Sequence, residues 1–118
     1  MRSIDSHIIT PEDRHIKIYA VDERVTPRSN NHYQVFVDDK PLLEIKFQSG
    51  NYSDKGIDGV TMEALLSIVI DRLEGFQAGV FKSEENTQAI TLIQSALNWL
   101  HKRTFDRICR RVRDTAKF

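Results

Sequence analysis

The residues best suited to do chemistry stand in the phrase HKRTFDRICRRVR, positions 101–113, where six of thirteen side chains are lysine or arginine. On a helix, at 100° per residue, Arg103, Arg107 and Arg110 fall within about 60° of one another and form a cationic stripe. A guanidinium is planar, permanently charged and presents a donor fork that matches phosphate oxygens. Its charge-assisted bidentate bonds are stronger than neutral ones. Such a stripe can clamp a phosphate or a pyrophosphate. It can equally be a solvated face near a helix C-terminus, where the backbone dipole favours cations. The residues alone leave both readings open.

Other chemistry is poorly supplied. His7, His15, His32, His101 and the single Cys109 show no metal-ligand spacing, so no metal is expected. Neither a glycine-rich phosphate loop, a nucleophile elbow nor an HExxH phrase occurs, and the paired acids Glu84 and Glu85 are explained by the electrostatics of a helix start. No enzymatic activity and no cofactor are therefore expected. His32, beside Tyr33 at a strand start, can meet a ligand or be structural. Phe76 and Phe81 bracket a glycine-containing connection, where an aromatic closes a core or offers its face to a base. Trp99, beside Leu100, reads as core.

The formal net charge is zero, but it is unevenly spread: residues 101–118 hold seven bases against two acids, and the first hundred hold ten bases against fifteen acids. One basic end on an otherwise acidic chain is unlike a general duplex binder, so duplex nucleic acid is not an expected partner. At 118 residues the chain can build one domain with a modest core, and self-association is an easy way to gain burial. No run of about eighteen apolar residues exists to span a membrane. The opening MRSIDSHIITPEDR lacks an apolar block of signal-peptide length, and one cysteine makes no internal disulfide. A soluble protein of a reducing cytoplasm is expected.

Two kinds of element must position the arginines. HIKIYAV (15–21), HYQVFV (32–37) and LLEIKFQ (42–48) are short, alternating and rich in β-branched and aromatic residues, which reads as strands. Asp38-Asp39-Lys40-Pro41 supplies a hairpin turn whose proline belongs at a sheet margin. VTPRSNN (25–31) and the glycine-rich stretch 49–59 read as loops. From Thr61, a plausible N-cap, Met62, Leu65, Leu66, Val69, Leu73 and Phe76 recur at helical spacing over about four turns, ending near Gly75 or Gly79. Ser83 opens a longer helix with an apolar stripe of Ile90, Ile93, Leu97, Leu100, Thr104 or Phe105, Ile108 and Val112. The short connection makes the two an antiparallel helical hairpin. The expected fold is α+β: one domain over 1–118, a small antiparallel sheet over about 15–48 and a hairpin over about 60–113.

GIDGVTMEALLSIVIDRLEGFQAGVFKSEEN followed by ALNWLHKRTFDR resembles the helical hairpin of phage anti-defence proteins that sequester nucleotide immune signals. With IKFQSG before GVT, the β-rich front half resembles the Thoeris anti-defence protein one family rather than its shorter relative, the phage anti-CBASS sponge. The likeness covers about residues 32–118 and is strong across the hairpin. It implies a non-enzymatic sponge in the host bacterial cytoplasm that binds cyclic ADP-ribose isomers made by TIR-domain enzymes. Phe76 would stack on adenine, Asn86 would hydrogen-bond the ligand, and Arg103 and Arg107 would hold its phosphates. Phe81, Tyr33, Gln48 and Arg110 are further candidate contacts. Alternatives are a sponge for cyclic di- or trinucleotides and a hairpin for single-stranded nucleic acid.

On this assignment, Asn86 and Arg103 lie 17 residues apart on one helix, about 25 Å. A small nucleotide cannot span that distance, so both touch one ligand only from different chains. A homodimer, or a hexamer built from dimers, is then a condition of binding. The tail departs from its relatives: where they commonly end Arg-Gly-Val-Glu-Gly-Thr, this chain reads Arg110-Arg111-Val112-Arg113-Asp114-Thr115. Two glycines and a glutamate are replaced, which bears on any cyclic-oligonucleotide site built there.

Overall fold

The alternating segments pair in chain order. In the computed structural model, β1 (Arg2–Ile4), β2 (Ile16–Ala20), β3 (His32–Val37) and β4 (Lys40–Lys46) form one antiparallel sheet of order β1-β2-β3-β4. Two helices follow, α1 (Met62–Gln77) and α2 (Glu84–Thr115). The fold is α+β. The structure describes residues 1–23, 30–50, 52 and 56–115, with side chains in α2 as far as Arg111. Most of the 25–31 loop and several residues of the 49–59 loop lie outside this set, as do the side chains of Val112, Arg113 and Asp114. The chain divides into two compact units at Thr61/Met62, close to where the apolar period changes.

In the sheet unit, register and alternation put Ile4, Ile18, Val35 and Leu43 in one row, with Ala20, Tyr33 and Ile45 beside them on the same face. Ala20, 1% exposed, is its most deeply buried apolar residue. The tight turn sits at Asp38 and Asp39, both in the left-handed region (φ 50° and 65°), as a two-residue hairpin of matching twist requires. Aspartate tolerates this conformation better than most residues. The His15 and Lys17 side chains each reach one of the two carboxylates at 2.7 Å.

Pro41 lies in β4, the edge strand, where the register slips between Val35 and Phe36. A residue without an N–H is tolerated at such a place. Strand β1 and the 3-10 turn Pro11–His15 were not expected from the sequence. A partly buried polar clasp ties β1 to the β2–β3 connection. Arg2 Nη2 donates to Asn30 Oδ1 at 2.7 Å, and the Asn30 amide donates to the Asp22 carbonyl at 2.6 Å. The Asp22 carboxylate accepts the backbone N–H groups of Asn31 and His32 at 2.8 and 3.1 Å. These bonds, the one from Asn31 foremost, hold the Asp22 carboxyl below the usual aspartate range.

After β4 the chain loops out and returns. Val60 N–H donates to Lys46 O, and Gln48 N–H to Val60 O, both at 2.8 Å, forming a parallel bridge of Phe47 with Val60. The return passes so close that a Cβ on Gly59 would lie 2.5 Å from Lys46 O, so only glycine fits.

In the helical unit, α1 begins directly after Thr61, and α2 directly after Ser83. Ser83 Oγ accepts the Asn86 N–H at 3.1 Å, an N-cap bond, and Glu84 and Glu85 stand in the first turn. Ile70, 8% exposed, is the most buried apolar residue of α1, although the expected stripe omitted it. Expected members Met62 and Val69 are nearly half exposed instead. The inner line runs Leu66, Ile70, Leu73, Gln77, stepping by four, three and four.

Candidate functional site

The connection between the helices is built by one amide. Gln77, last residue of α1, donates from Nε2 to Ser83 O at 3.1 Å and to Thr87 Oγ1 at 2.8 Å, while its Oε1 accepts the Ser83 N–H at 2.9 Å. It takes the place of an apolar residue on the inner line and fastens the first turn of α2 to the last turn of α1. Sequence reasoning missed Gln77; a polar residue at a stripe position beside a predicted cap is the signal that marks it.

On this braced turn stand three of the candidate ligand residues. The rings of Phe76 and Phe81 meet edge to face, centroids 6.1 Å apart and planes at 70°. Asn86 Nδ2 donates to Phe81 O at 3.1 Å, which fixes both the amide and the loop carrying Phe81. Phe81 remains 73% exposed and Phe76 is half-buried, so the pair is accessible from the Phe81 side. The Arg72 guanidinium, one turn earlier in α1, lies over the Phe76 ring at 5.0 Å. Arg72 was also not foreseen, although its spacing of four from Phe76 is visible in the sequence.

The arginines stand elsewhere. Helix α2 runs unbroken for 32 residues, about 48 Å, whereas α1 has 16, about 24 Å. The far half of α2 therefore outruns its hairpin partner. Arg103, Arg107 and Arg110 are exposed there. Asp106 is engaged by Lys102 at 3.0 Å, and Arg107 reaches the Thr104 hydroxyl at 3.5 Å. Among the described residues no carboxylate pairs with Arg103, Arg107 or Arg110. The structure thus gathers Phe76, Phe81 and Asn86 at one end of the hairpin and places the arginines well beyond it on the same helix.

Trp99 corrects the sequence reading: it is 69% exposed and not core. The half-buried residues Asn86, Ala89, Ile90, Ile93, Leu97, Leu100 and Thr104 span about 100° of α2, and Trp99 points about 80° from the nearest of them. Thr104, not the exposed Phe105, continues the stripe. At 100° per residue, Trp99 shares a seam with Leu92, Ala96, Arg103, Arg107 and Arg110. Leu92 on that seam is likewise exposed.

Tyr33 and Gln48 belong to the sheet unit, and each has a partner there. The Tyr33 ring meets Phe47 edge to face at 5.6 Å. The Gln48 amide donates to Gly56 O at 2.7 Å and accepts the Asp58 N–H at 3.0 Å. Asp58 in turn accepts from the Ser49 N–H and hydroxyl. With both ends of its amide occupied, Gln48 closes the 49–59 loop. His32 bonds Glu44 at 2.8 Å across the strands. Among the described residues no group of three or more His, Cys, Asp or Glu side chains is placed to hold a metal ion, and no helix is long and apolar enough to cross a membrane.

Residues 39–105 match the family model described as Acb2/Tad1, hairpin domain. The chain belongs to the Acb2/Tad1 hairpin family. The region of the Acb2/Tad1 match takes in Phe76, Asn86 and Arg103 and stops short of Arg107 and Arg110. The chain is also similar to a protein named Thoeris anti-defense 1 of Bacillus phage SBSphiJ7, at 41% identity over 90 residues. That similarity covers 75% of this chain and 63% of the relative, so the chain matches less than two thirds of the relative's length.

Proposed function

We propose that this Acb2/Tad1-family chain is a phage anti-defence sponge acting inside the infected bacterial cell. It captures a cyclic ADP-ribose isomer made by a TIR-domain enzyme, holds it without breaking a bond, and so withholds it from the Thoeris effector. The reading draws on the similarity to a phage Thoeris anti-defense protein. The observation that carries it is the layout of α2, a single helix with Asn86 beside the Phe76–Phe81 pair at one end and, toward the other, Arg103, Arg107 and Arg110, which pair with no carboxylate among the described residues.

A ligand with a base and a pyrophosphate needs both an aromatic face and cations. In one chain these are about 25 Å apart along α2, counted from Asn86 to Arg103. Two copies with their α2 helices antiparallel bring them together twice, Asn86 of each opposite Arg103 of the other, with the two-fold axis passing midway between residues 94 and 95. Leu92 and Trp99, both exposed on the arginine seam, flank that axis and are natural anchors for the pairing. Each pocket then takes Phe76 and Asn86 from one protomer and Arg103 and Arg107 from the other. Capture of a scarce signal requires a dissociation constant near nanomolar, about −12 kcal/mol. An interchain pocket suits that affinity better than an open helix face.

The test is calorimetric titration with cyclised ADP-ribose isomers, wild type and Arg107→Ala in parallel, followed by heat denaturation and chromatography of the released ligand. The expected result is tight binding that the substitution weakens by about 100-fold, with the ligand recovered unchanged. Recovery of a linear product would make the protein a hydrolase. Binding of cyclic di- or trinucleotides, or of single-stranded oligonucleotides with a steep salt dependence, in place of every isomer would overturn the ligand assignment.

A further inference from the structure

Resting on the ligand reading above, we infer that Arg72 is an additional ligand contact: its guanidinium leaves the Phe76 ring to cover the second face of the base that stacks there. Four observations meet at this residue. Its Cζ lies 5.0 Å from the Phe76 centroid, on the ring that would receive the base. A guanidinium in direct contact with a ring leaves no space for a base between them, so binding on that side requires Arg72 to move.

The side chain is able to move. Arg72 is exposed and pairs with no carboxylate among the described residues. Its neighbours at three and four residues, Ile68, Val69, Gly75 and Phe76, are all uncharged. The space beside it is also open, since a Cβ on Gly75 would meet nothing within 4 Å. A glycine inside a helix destabilises it relative to alanine, and nothing in the chain's own packing calls for one here.

The exchange is chemically even-handed. In the free protein the guanidinium rests on Phe76 and shields a half-buried ring; in the complex the same planar cation stacks on the base, as arginine does on nucleobases generally. The base is then held between Phe76 and Arg72, and the ligand leaves only when the guanidinium lifts. Arg72 therefore acts chiefly on the dissociation rate.

The experiment measures the dissociation constant and dissociation rate of the cyclised ADP-ribose isomer that wild type binds best, for wild type, Arg72→Ala and Arg72→Lys, with helicity and Tm recorded for each. Arg72→Ala is expected to raise Kd roughly tenfold, mainly through faster release, without loss of helicity. Arg72→Lys is expected to weaken binding nearly as much, because an ammonium keeps the charge but has no plane to stack. If Arg72→Ala lost helicity, Arg72→Lys would carry the test, since it keeps the aliphatic stem and the charge. Wild-type affinity in either variant overturns the inference while the ligand reading stands. Failure of wild type to bind any isomer overturns both.

Discussion

The two ends of α2 are built on opposite plans. At the turn, Phe76, Phe81 and Asn86 are fixed by their own chain: Asn86 is bonded to the loop, Phe76 and Phe81 hold each other, and Gln77 locks the helices together. At the far end, Arg103, Arg107 and Arg110 project from a helix that has outrun its partner, beside an exposed tryptophan. On the proposed reading, one half of the site is preorganised by folding and the other half is completed by a second copy, which supplies both an apolar cover for Trp99 and an aromatic platform opposite the arginines.

Substitutions that separate folding from association sharpen this contrast. The largest effect is expected from replacing Arg103 and Arg107 with alanine, each loss weakening ligand binding by about 100-fold, since charge-assisted bonds to phosphate would be removed. Calorimetry reads the affinity, and an unchanged Tm would show that the stripe contributes nothing to the fold. Trp99→Ala comes next. It is expected to raise the dimer dissociation constant by roughly 30-fold or more, measured by sedimentation equilibrium, with helicity retained. A wild-type protein that sediments as a monomer at every concentration would break the comparison outright.

Gln77→Ala acts at the other end. Losing its bonds leaves the Ser83 N–H without a protein partner, at a cost of about 1–2 kcal/mol, so Tm should fall by about 5 °C or more. Ligand affinity should fall only several-fold, because the platform loosens while its residues remain.

The smallest effect lies in the sheet unit and depends on pH. The carboxyls of Asp22, Asp13, Asp39 and Glu44 are all held below their usual range. The leading causes are hydrogen bonds from Asn31 N–H, Ile9 N–H, the Lys17 ammonium and the Gln34 amide respectively. A lowered folded-state pKa gives stabilisation that is complete above the unfolded value, about 4, and is lost as pH falls through the folded value. Tm should therefore drop below about pH 4. Asp22→Asn should lower Tm at neutral pH by a few degrees and flatten this acid slope.

Much of the scaffold was legible because it follows from period and punctuation. HYQVFV alternates and is β3 to the residue; Ser83 followed by two glutamates marks the start of α2; two aspartates before a proline mark the turn. Strand β1 was not legible, since three residues carry no period, and the arginine that ties it down reaches a buried asparagine 28 positions away. The helix faces were harder than the helices. Met62 and Val69 satisfied the spacing but are nearly half exposed, and Ile70 is buried, because which part of a broad apolar arc faces inward depends on the partner helix. Trp99 was misread for a related reason: size and apolarity suggest core, and only its angular distance from Leu97 and Leu100 shows that it belongs to the arginine seam. The long-range amide bonds of Gln77 and Gln48 have no sequence period at all.

The central claim, a pocket shared between chains, is tested most directly by complementation. Asn86→Ala and Arg103→Ala proteins are each expected to hold no site of wild-type affinity. Mixed, unfolded and refolded together, half of the dimers carry one of each chain. In every such dimer one pocket joins an intact Asn86 to an intact Arg103, so titration should recover about a quarter of the wild-type sites at wild-type affinity. No recovery, with mixed dimers shown to be present, would contradict the account.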